Sequence, residues 1–392
     1  MNKNLEIEEK SVSIVGGGGH IGLPLSCFIQ NQGFNVSIID NNKKIINLIN
    51  EGKTTFYENE LDENLTKALQ NGLKATNKIE TITNTKFVII TIGTSSNKKS
   101  ILFFKQLIDD VLRNINKKAV LILRSTVTSE DISYILKNPL FLTKELYLAY
   151  CPERIAEGEA FKELYELPQI IGADEQSSEK IVEMFFKDLN IKTITTTIEN
   201  ALFIKLFSNA YRHANFSLSN EFHNIAQKNN LDFEQIRQIA TEDYPRLSNL
   251  PFSGYVGGPC LPKDLETFIK SYNVTNSLLN SLPTVNEVYL DNIVEKCLSL
   301  FQEKNLIQLG LGFKINSDDI RGSGAIILNN KLRKKGFEVF SVDPLINKSD
   351  FEHELYEFNE VIDRSENIIV AVDHQIFNNY DLKNKTVLYA EI

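Results

Sequence analysis

The chain has 392 residues, 42% of them hydrophobic and 24% charged, with a net charge of −9. That length exceeds one ordinary core and points to two or three domains, and the acidic balance argues against nucleic acid as a main partner. No apolar run of about eighteen residues occurs, so no membrane-spanning helix is expected. The N-terminal MNKNLEIEEK has no apolar centre of the kind a signal sequence needs, which favours the cytoplasm.

In chain order, residues 11–15 form the first strand candidate, followed by glycines and a helical stretch over about 21–32. Further strand candidates are 35–39, 87–92, 120–123, 147–149 and 169–171. Strands separated by helix-length segments imply βαβ units and a parallel sheet. The texture then changes, with no glycine between residues 173 and 253. Thr196 and Glu199 have capping-box spacing, which predicts a helix from there to about Lys228. A helix of about thirty residues exceeds the usual globular length and often serves as a spine between domains or a dimer interface. A glycine-rich loop follows at 251–263, and strand–helix alternation returns with strands at 305–309, 338–342 and 367–372 and a helix at 323–335. The expected fold is α/β: two Rossmann-like, doubly wound domains, 1–195 and 301–392, joined by a long central helix and a helical middle domain, 196–300.

The first strand runs into Gly16-Gly17-Gly18-Gly19-His20-Ile21-Gly22, which contains the spacing Gly17-x-Gly19-x-x-Gly22. Gly17 permits the tight turn, Gly19 lets backbone approach a pyrophosphate, and Gly22 lets the helix pack close to the strand. The helix N-terminus offers N–H groups to phosphates. Asp40 ends the second strand eighteen residues after Gly22, where a carboxylate accepts from the ribose hydroxyls of NAD and repels the 2′-phosphate of NADP. Lys43 and Lys44 lean the other way, and Asp40 outweighs them.

Four cysteines, Cys27, Cys151, Cys260 and Cys297, lie too far apart for a zinc motif, and no metal is expected. Cys27 and Cys297 sit among apolar residues and read as core. Cys260 lies in Gly254-Tyr255-Val256-Gly257-Gly258-Pro259-Cys260-Leu261-Pro262-Lys263-Asp264. Glycines there suggest a ligand that must come close, and a neighbouring cation favours a thiolate nucleophile. Cys151, which opens Cys151-Pro152-Glu153-Arg154 at a strand end, is the rival. Lys205 and Asn209 are four residues apart on one face of the long helix. From spacing alone they are surface decoration; beside a reacting carbonyl they would be oxyanion donors.

The blocks GGGGHIGLPLS, RSTV, CPERIAEG, ENALFIKLFSNAYRHANFSLSNE, GYVGGPCLPKD and GLGFKINSDDIRGS, in this order, resemble the UDP-glucose/GDP-mannose dehydrogenase family, particularly members that oxidise UDP-N-acetylhexosamines. The resemblance covers about residues 11–392. It implies oxidation of C6 of a UDP-sugar to the uronic acid with two NAD+ per turnover, a homodimer, and a role in surface polysaccharide precursors. It makes Cys260 the nucleophile that passes through a thiohemiacetal and a thioester. Lys205 and Asn209 become the oxyanion donors, and Asp264 orients water and Lys205. Glu153 and Glu157 form an acidic pair, with Glu157 the base through a water held by Thr126. Cofactor contacts are implied at Gly17, Gly19, His20, Ile21, Gly22, Asp40, Thr94, Thr126 and Arg321. Substrate contacts are implied at Glu153, Arg154, Ile155, Lys205, Asn209, Arg212, Tyr255, Gly257 and Lys314. Ile90-Thr91-Ile92-Gly93-Thr94 departs from the proline-rich Val-Pro-Thr-Pro turn of many members, and the sequence ends near the family's final strand.

The chemistry accounts for the constellation independently. Oxidising an alcohol needs a base and a hydride acceptor. Taking the aldehyde on to an acid needs a nucleophile that restores a tetrahedral carbon, and its oxyanion needs donors, one of which is worth roughly two to three orders of magnitude in rate. A two-electron hydroxyacid dehydrogenase needs no cysteine loop, and a catalytically dead NAD-binding scaffold needs neither Lys205 nor Cys260. The sugar is left open between the N-acetylmannosamine, N-acetylglucosamine and glucose types. Arg212, His213 and Arg246 are candidates to read an acetamido group or a phosphate, with plain surface charge the equal alternative.

Overall fold

The structure is a computed structural model that describes residues 8–94, 97–390 and 392. The chain divides into two compact units, Met1–Lys205 and Leu206–Ile392. The first is built on an eight-stranded sheet of β1 (Glu8–Val15), β2 (Asn35–Ile39), β3 (Lys74–Thr76), β4 (Thr85–Ile90), β5 (Val120–Leu123), β6 (Tyr147–Tyr150), β7 (Gln169–Ala173) and β8 (Thr193–Thr197). Their spatial order is β3-β2-β1-β4-β5-β6-β7-β8. All neighbours are parallel except β6 and β7. Central strands such as Val-Leu-Ile-Leu in β5 are buried throughout, because helices cover both faces of a parallel sheet. The order reverses beside β1, whose neighbours are β2 and β4, and a doubly wound sheet opens its ligand crevice at the carboxyl ends of such strands.

The second unit holds a four-stranded parallel sheet of β9 (Asn305–Leu309), β10 (Glu338–Val342), β11 (Asn367–Val370) and β12 (Thr386–Tyr389), in the order β10-β9-β11-β12. The two sheets share a device. An aspartate just past the second strand holds the loop that follows the first. Asp40 accepts from Gly18 N at 3.1 Å, and Asp343 accepts from Leu311 N at 2.7 Å. Asp343 is sealed in by His374, whose Nδ1 accepts from Asn316 N at 2.8 Å and whose Nε2 donates to Asp343 at 3.1 Å.

Two strands, β3 and β8, were not anticipated, and β12 lies where the resemblance put the family's final strand without bounds. All three are sheet edges, and β8 is exposed or half-buried along its length, so none carries the apolar run that marks a central strand. The fourth strand ends at Ile90 rather than 92. The long helix runs Ile198–Lys228, 31 residues, beginning in the first unit and ending in the second. Its cap lies one residue later than the Thr196/Glu199 spacing predicted. Thr197 Oγ1 accepts from Asn200 N at 3.2 Å, and Asn200 Nδ2 reaches back to Thr196 Oγ1 at 3.0 Å. One face of this helix is buried at Ala201, Leu202, Leu206 and Ala210, while Phe203, Phe207, Tyr211, Leu218, Phe222 and Ile225 stand 42–53% exposed on another. Among the described residues no helix is long and apolar enough to cross a membrane.

Candidate active site

At the carboxyl end of β1 the glycine loop is tight for internal reasons. A Cβ on Gly22 would lie 2.5 Å from Gly17 Cα and 2.6 Å from Gly16 O, so only glycine lets the helix Gly22–Asn31 start against the strand. A Cβ on Gly19 would meet nothing nearer than Gly16 O at 3.7 Å, which leaves that side open to a pyrophosphate. Asp40 binds the loop through Gly18 N and caps its own turn through Asn42 N at 3.0 Å, fixing a carboxylate beside the glycines. The ring of His20 stacks on Phe56 with centroids 4.1 Å apart, and Ile21 precedes the helix half-buried. The loops after β4 and β5 meet where Thr94 Oγ1 donates to Thr126 O at 2.5 Å. The residues present therefore fit a dinucleotide laid across the switch between β1 and β4.

The acidic loop after β6 is organised by a buried network. Arg124, at the end of β5, donates to Glu153 through Nε at 3.1 Å and again through its terminal nitrogen, and to Gln169 Oε1 at 2.6 Å. The other Glu153 oxygen accepts from Arg154 N at 2.8 Å and Ile155 N at 2.9 Å. Burial alone would raise the Glu153 pKa. The Arg124 charge and hydrogen bonds, the Ile155 N–H and the Lys205 charge outweigh it and hold the carboxyl below its ordinary value. Glu153 is thus a fixed anion, occupied on both oxygens, and its backbone carbonyl accepts Lys205 Nζ at 2.6 Å. Arg154 turns away to Pro168 O at 2.7 Å. Glu157, four residues on, is half-buried on the same loop.

In the second unit Cys260 stands at the N-cap position of the helix Leu261–Ser271, makes no side-chain capping bond, and is exposed. Asp264 lies buried in the first turn of that helix, accepting from Asn209 Nδ2 at 2.6 Å and paired with Lys263 at 3.0 Å. The other cysteines are buried, and burial pushes the thiols of Cys27, Cys151 and Cys297 up to about 12. Cys151, the rival, is thus a buried thiol, unlike Cys260. The glycines before Cys260 are also required by the fold itself. A Cβ on Gly257 would lie 2.8 Å from Gly322 O, and one on Gly258, at φ +80°, would lie 2.7 Å from the Phe313 ring. The protein's own backbone and an aromatic ring come close there, and Gly258 N donates to Gly322 O at 3.1 Å.

The remaining expected residues are placed as follows. Tyr255 packs its ring over Gly324, and Lys314 lies over the Phe313 ring at 5.6 Å. Arg321 is clamped by buried Asp319, with Nε donating at 2.9 Å. Arg212 and Arg246 are exposed. His213 is not a surface group. It is buried, with its Nδ1 3.2 Å from Ser217 Oγ, and burial lowers its pKa. Arg124, Gln169, Glu58 and Glu163 escaped sequence reasoning. A charge closing the apolar run Val-Leu-Ile-Leu was the available signal for Arg124.

Three family models cover most of the chain, all of the UDP-glucose/GDP-mannose dehydrogenase family: the NAD binding domain over residues 10–190, the central domain over 199–288 and the UDP binding domain over 307–390. A UDP-N-acetyl-D-mannosamine dehydrogenase of Pyrococcus horikoshii is 29% identical, the match covering 93% of this chain and 89% of that one. A UDP-glucose 6-dehydrogenase of Rickettsia bellii is 28% identical, with 93% and 90% covered. The solved structure of the UDP-D-ManNAc dehydrogenase from Pyrococcus horikoshii superimposes with a TM-score of 0.85 at 25% identity, covering 95% of this chain and 91% of that one.

Proposed function

Because the chain belongs to the UDP-glucose/GDP-mannose dehydrogenase family, we propose that it oxidises the C6 hydroxymethyl of a UDP-sugar to a carboxylate in two steps through Cys260. Hydride acceptance is the chemistry that NAD supplies when held by the glycine loop, Asp40, Thr94 and Thr126. Glu157, through a water at Thr126, takes the alcohol proton as C6 gives up its first hydride and becomes an aldehyde. The Cys260 thiolate then adds to the carbonyl carbon. The tetrahedral thiohemiacetal gives up the second hydride, and the thioester that remains is cleaved by water, which forms the C–O bond as the C–S bond breaks. Lys205, held at the Glu153 carbonyl, and Asn209, held by Asp264, are the donors assigned to the oxyanions. Glu153 acts in this reading as an anchor for Lys205.

The observation that carries the proposal is the contrast among the thiols: one exposed at a helix cap, three buried. UDP-N-acetylmannosamine or UDP-N-acetylglucosamine is the first choice of sugar, and UDP-glucose the second, since relatives named for UDP-N-acetyl-D-mannosamine and for glucose stand at similar identity. The exposed aromatic stripe of the long helix, from Phe203 to Ile225, is assigned to a homodimer interface, and the division 1–195, 196–300 and 301–392 to cofactor, middle and nucleotide-sugar domains. A panel of UDP- and GDP-sugars with NAD+ tests the activity: two NADH per sugar support it, whereas one indicates a two-electron dehydrogenase and none a scaffold.

A further inference from the structure

The segment between the helices Lys43–Asn50 and Leu61–Gln70 belongs to no regular element, yet it buries a carboxylate. Glu58 is 5% exposed. A charge taken out of water is costly unless it is paired or hydrogen-bonded, and the two Glu58 oxygens are used on backbone a hundred residues away. One accepts from Gly158 N at 2.8 Å and the other from Ala160 N at 3.0 Å. The next residue, Asn59, donates to Gly158 O at 2.5 Å, so Gly158, which stands at φ +87°, is held through both its N–H and its carbonyl. Just upstream, Ala156 N donates to Glu163 at 2.6 Å. Glu157 therefore lies between two backbone N–H groups, each fixed by a carboxylate. The helix Ala160–Glu166 begins at this point, and its own cap residue, Glu159, makes no capping bond. The same segment reaches the glycine loop, since buried Phe56 stacks on His20.

We propose that Glu58 is a positioning residue for Glu157, and that residues 54–60 form a strut fixing the acidic loop against the glycine loop. The proposal rests on Glu157 being the base. A base displaced by about 1 Å loses on the order of a hundredfold in rate, within the roughly 10²–10⁴-fold that general-base catalysis supplies. Glu58→Gln keeps the size of the side chain but turns an N–H₂ donor toward one of the two backbone N–H groups.

The test compares wild type, Glu58→Gln, Glu157→Gln and the double variant, using NAD+ and the UDP-sugar of the panel that turns over fastest. The expected result is a fall in kcat of about 10–100-fold for Glu58→Gln, both KM values within about threefold, and a displaced acid limb of the kcat–pH profile. The double variant should be no slower than Glu157→Gln, because the two act through one group. A cap with a purely structural role would leave the pH profile in place. Wild-type kcat in Glu58→Gln, or a double variant slower by the product of the two single effects, overturns the proposal while leaving Glu157 as base. Wild-type turnover in Glu157→Gln overturns the base assignment itself. Should Glu58→Gln fail to fold, Asn59→Ala, which frees the other side of Gly158, is subject to the same criteria.

Discussion

Replacing Arg124 with methionine should destabilise the first unit more than any other single change in the acidic loop, and the loss should depend on pH in a defined sense. Arg124 and Glu153 are both buried, and the guanidinium makes two bonds to one carboxylate oxygen and a third to Gln169. Removing one partner of such a pair leaves an uncompensated buried charge and costs about 3–5 kcal/mol. For a unit of this size that is a fall in Tm of about 6–20 °C. In the wild type the Glu153 pKa is held below its ordinary value, so its ionisation stabilises the fold above the ordinary carboxylate range, and the contribution is lost as pH falls through the folded pKa. Without Arg124 burial dominates, the neutral acid becomes the favoured form, and the cost at pH 7 is relieved by protonation as pH falls. Calorimetric Tm values for both proteins between pH 7 and pH 4 should therefore converge. A deficit below about 1 kcal/mol at pH 7, the level of an exposed pair, or a gap independent of pH, would refute the reasoning.

Brief treatment with iodoacetamide at pH 8 should modify Cys260 alone, since burial puts the other three thiols at about 12; peptide mapping that finds Cys151 labelled equally fast would contradict this. Asp40 should make kcat/KM for NAD+ exceed that for NADP+ by roughly tenfold or more, a difference of at least about 1.4 kcal/mol, and equal efficiencies would remove its assigned role. Phe207→Glu, placed in the exposed aromatic stripe, should shift sedimentation from dimer toward monomer at micromolar concentration without lowering the monomer's Tm; a wild-type protein that sediments only as monomer would count against the interface.

Much of the fold was legible because parallel strands buried on both faces read as apolar runs. The strands β2, β5, β9 and β10 lie where the sequence placed them. The edges β3 and β8 were not, for they need only one partner and little burial. Of the site, the glycine loop and Asp40 could be read because their spacing encodes a local turn. The partners of Glu153 and Gly158 could not, because Arg124 and Glu58 reach them across 29 and 100 residues of sequence, where no periodicity applies. At the glycines 257 and 258 the sequence marked a close approach, and Gly322 and Phe313 of the same unit do come close there.

The central claim is covalent passage through Cys260, and the most direct measurement is uronic acid formation by Cys260→Ala, beside calorimetric binding of NAD+ and the UDP-sugar. The side chain is small and exposed, so its loss opens no core and both ligands should bind with nearly unchanged affinity. The account predicts that acid formation is abolished in Cys260→Ala. It predicts that Cys260→Ser stops at an adduct or at the aldehyde, because a hydroxyl is far less ionised than a thiol and its ester breaks down more slowly. Cys151→Ala should keep most activity. Near-normal acid formation by Cys260→Ala would contradict the account, because the four-electron oxidation would then proceed without the cysteine.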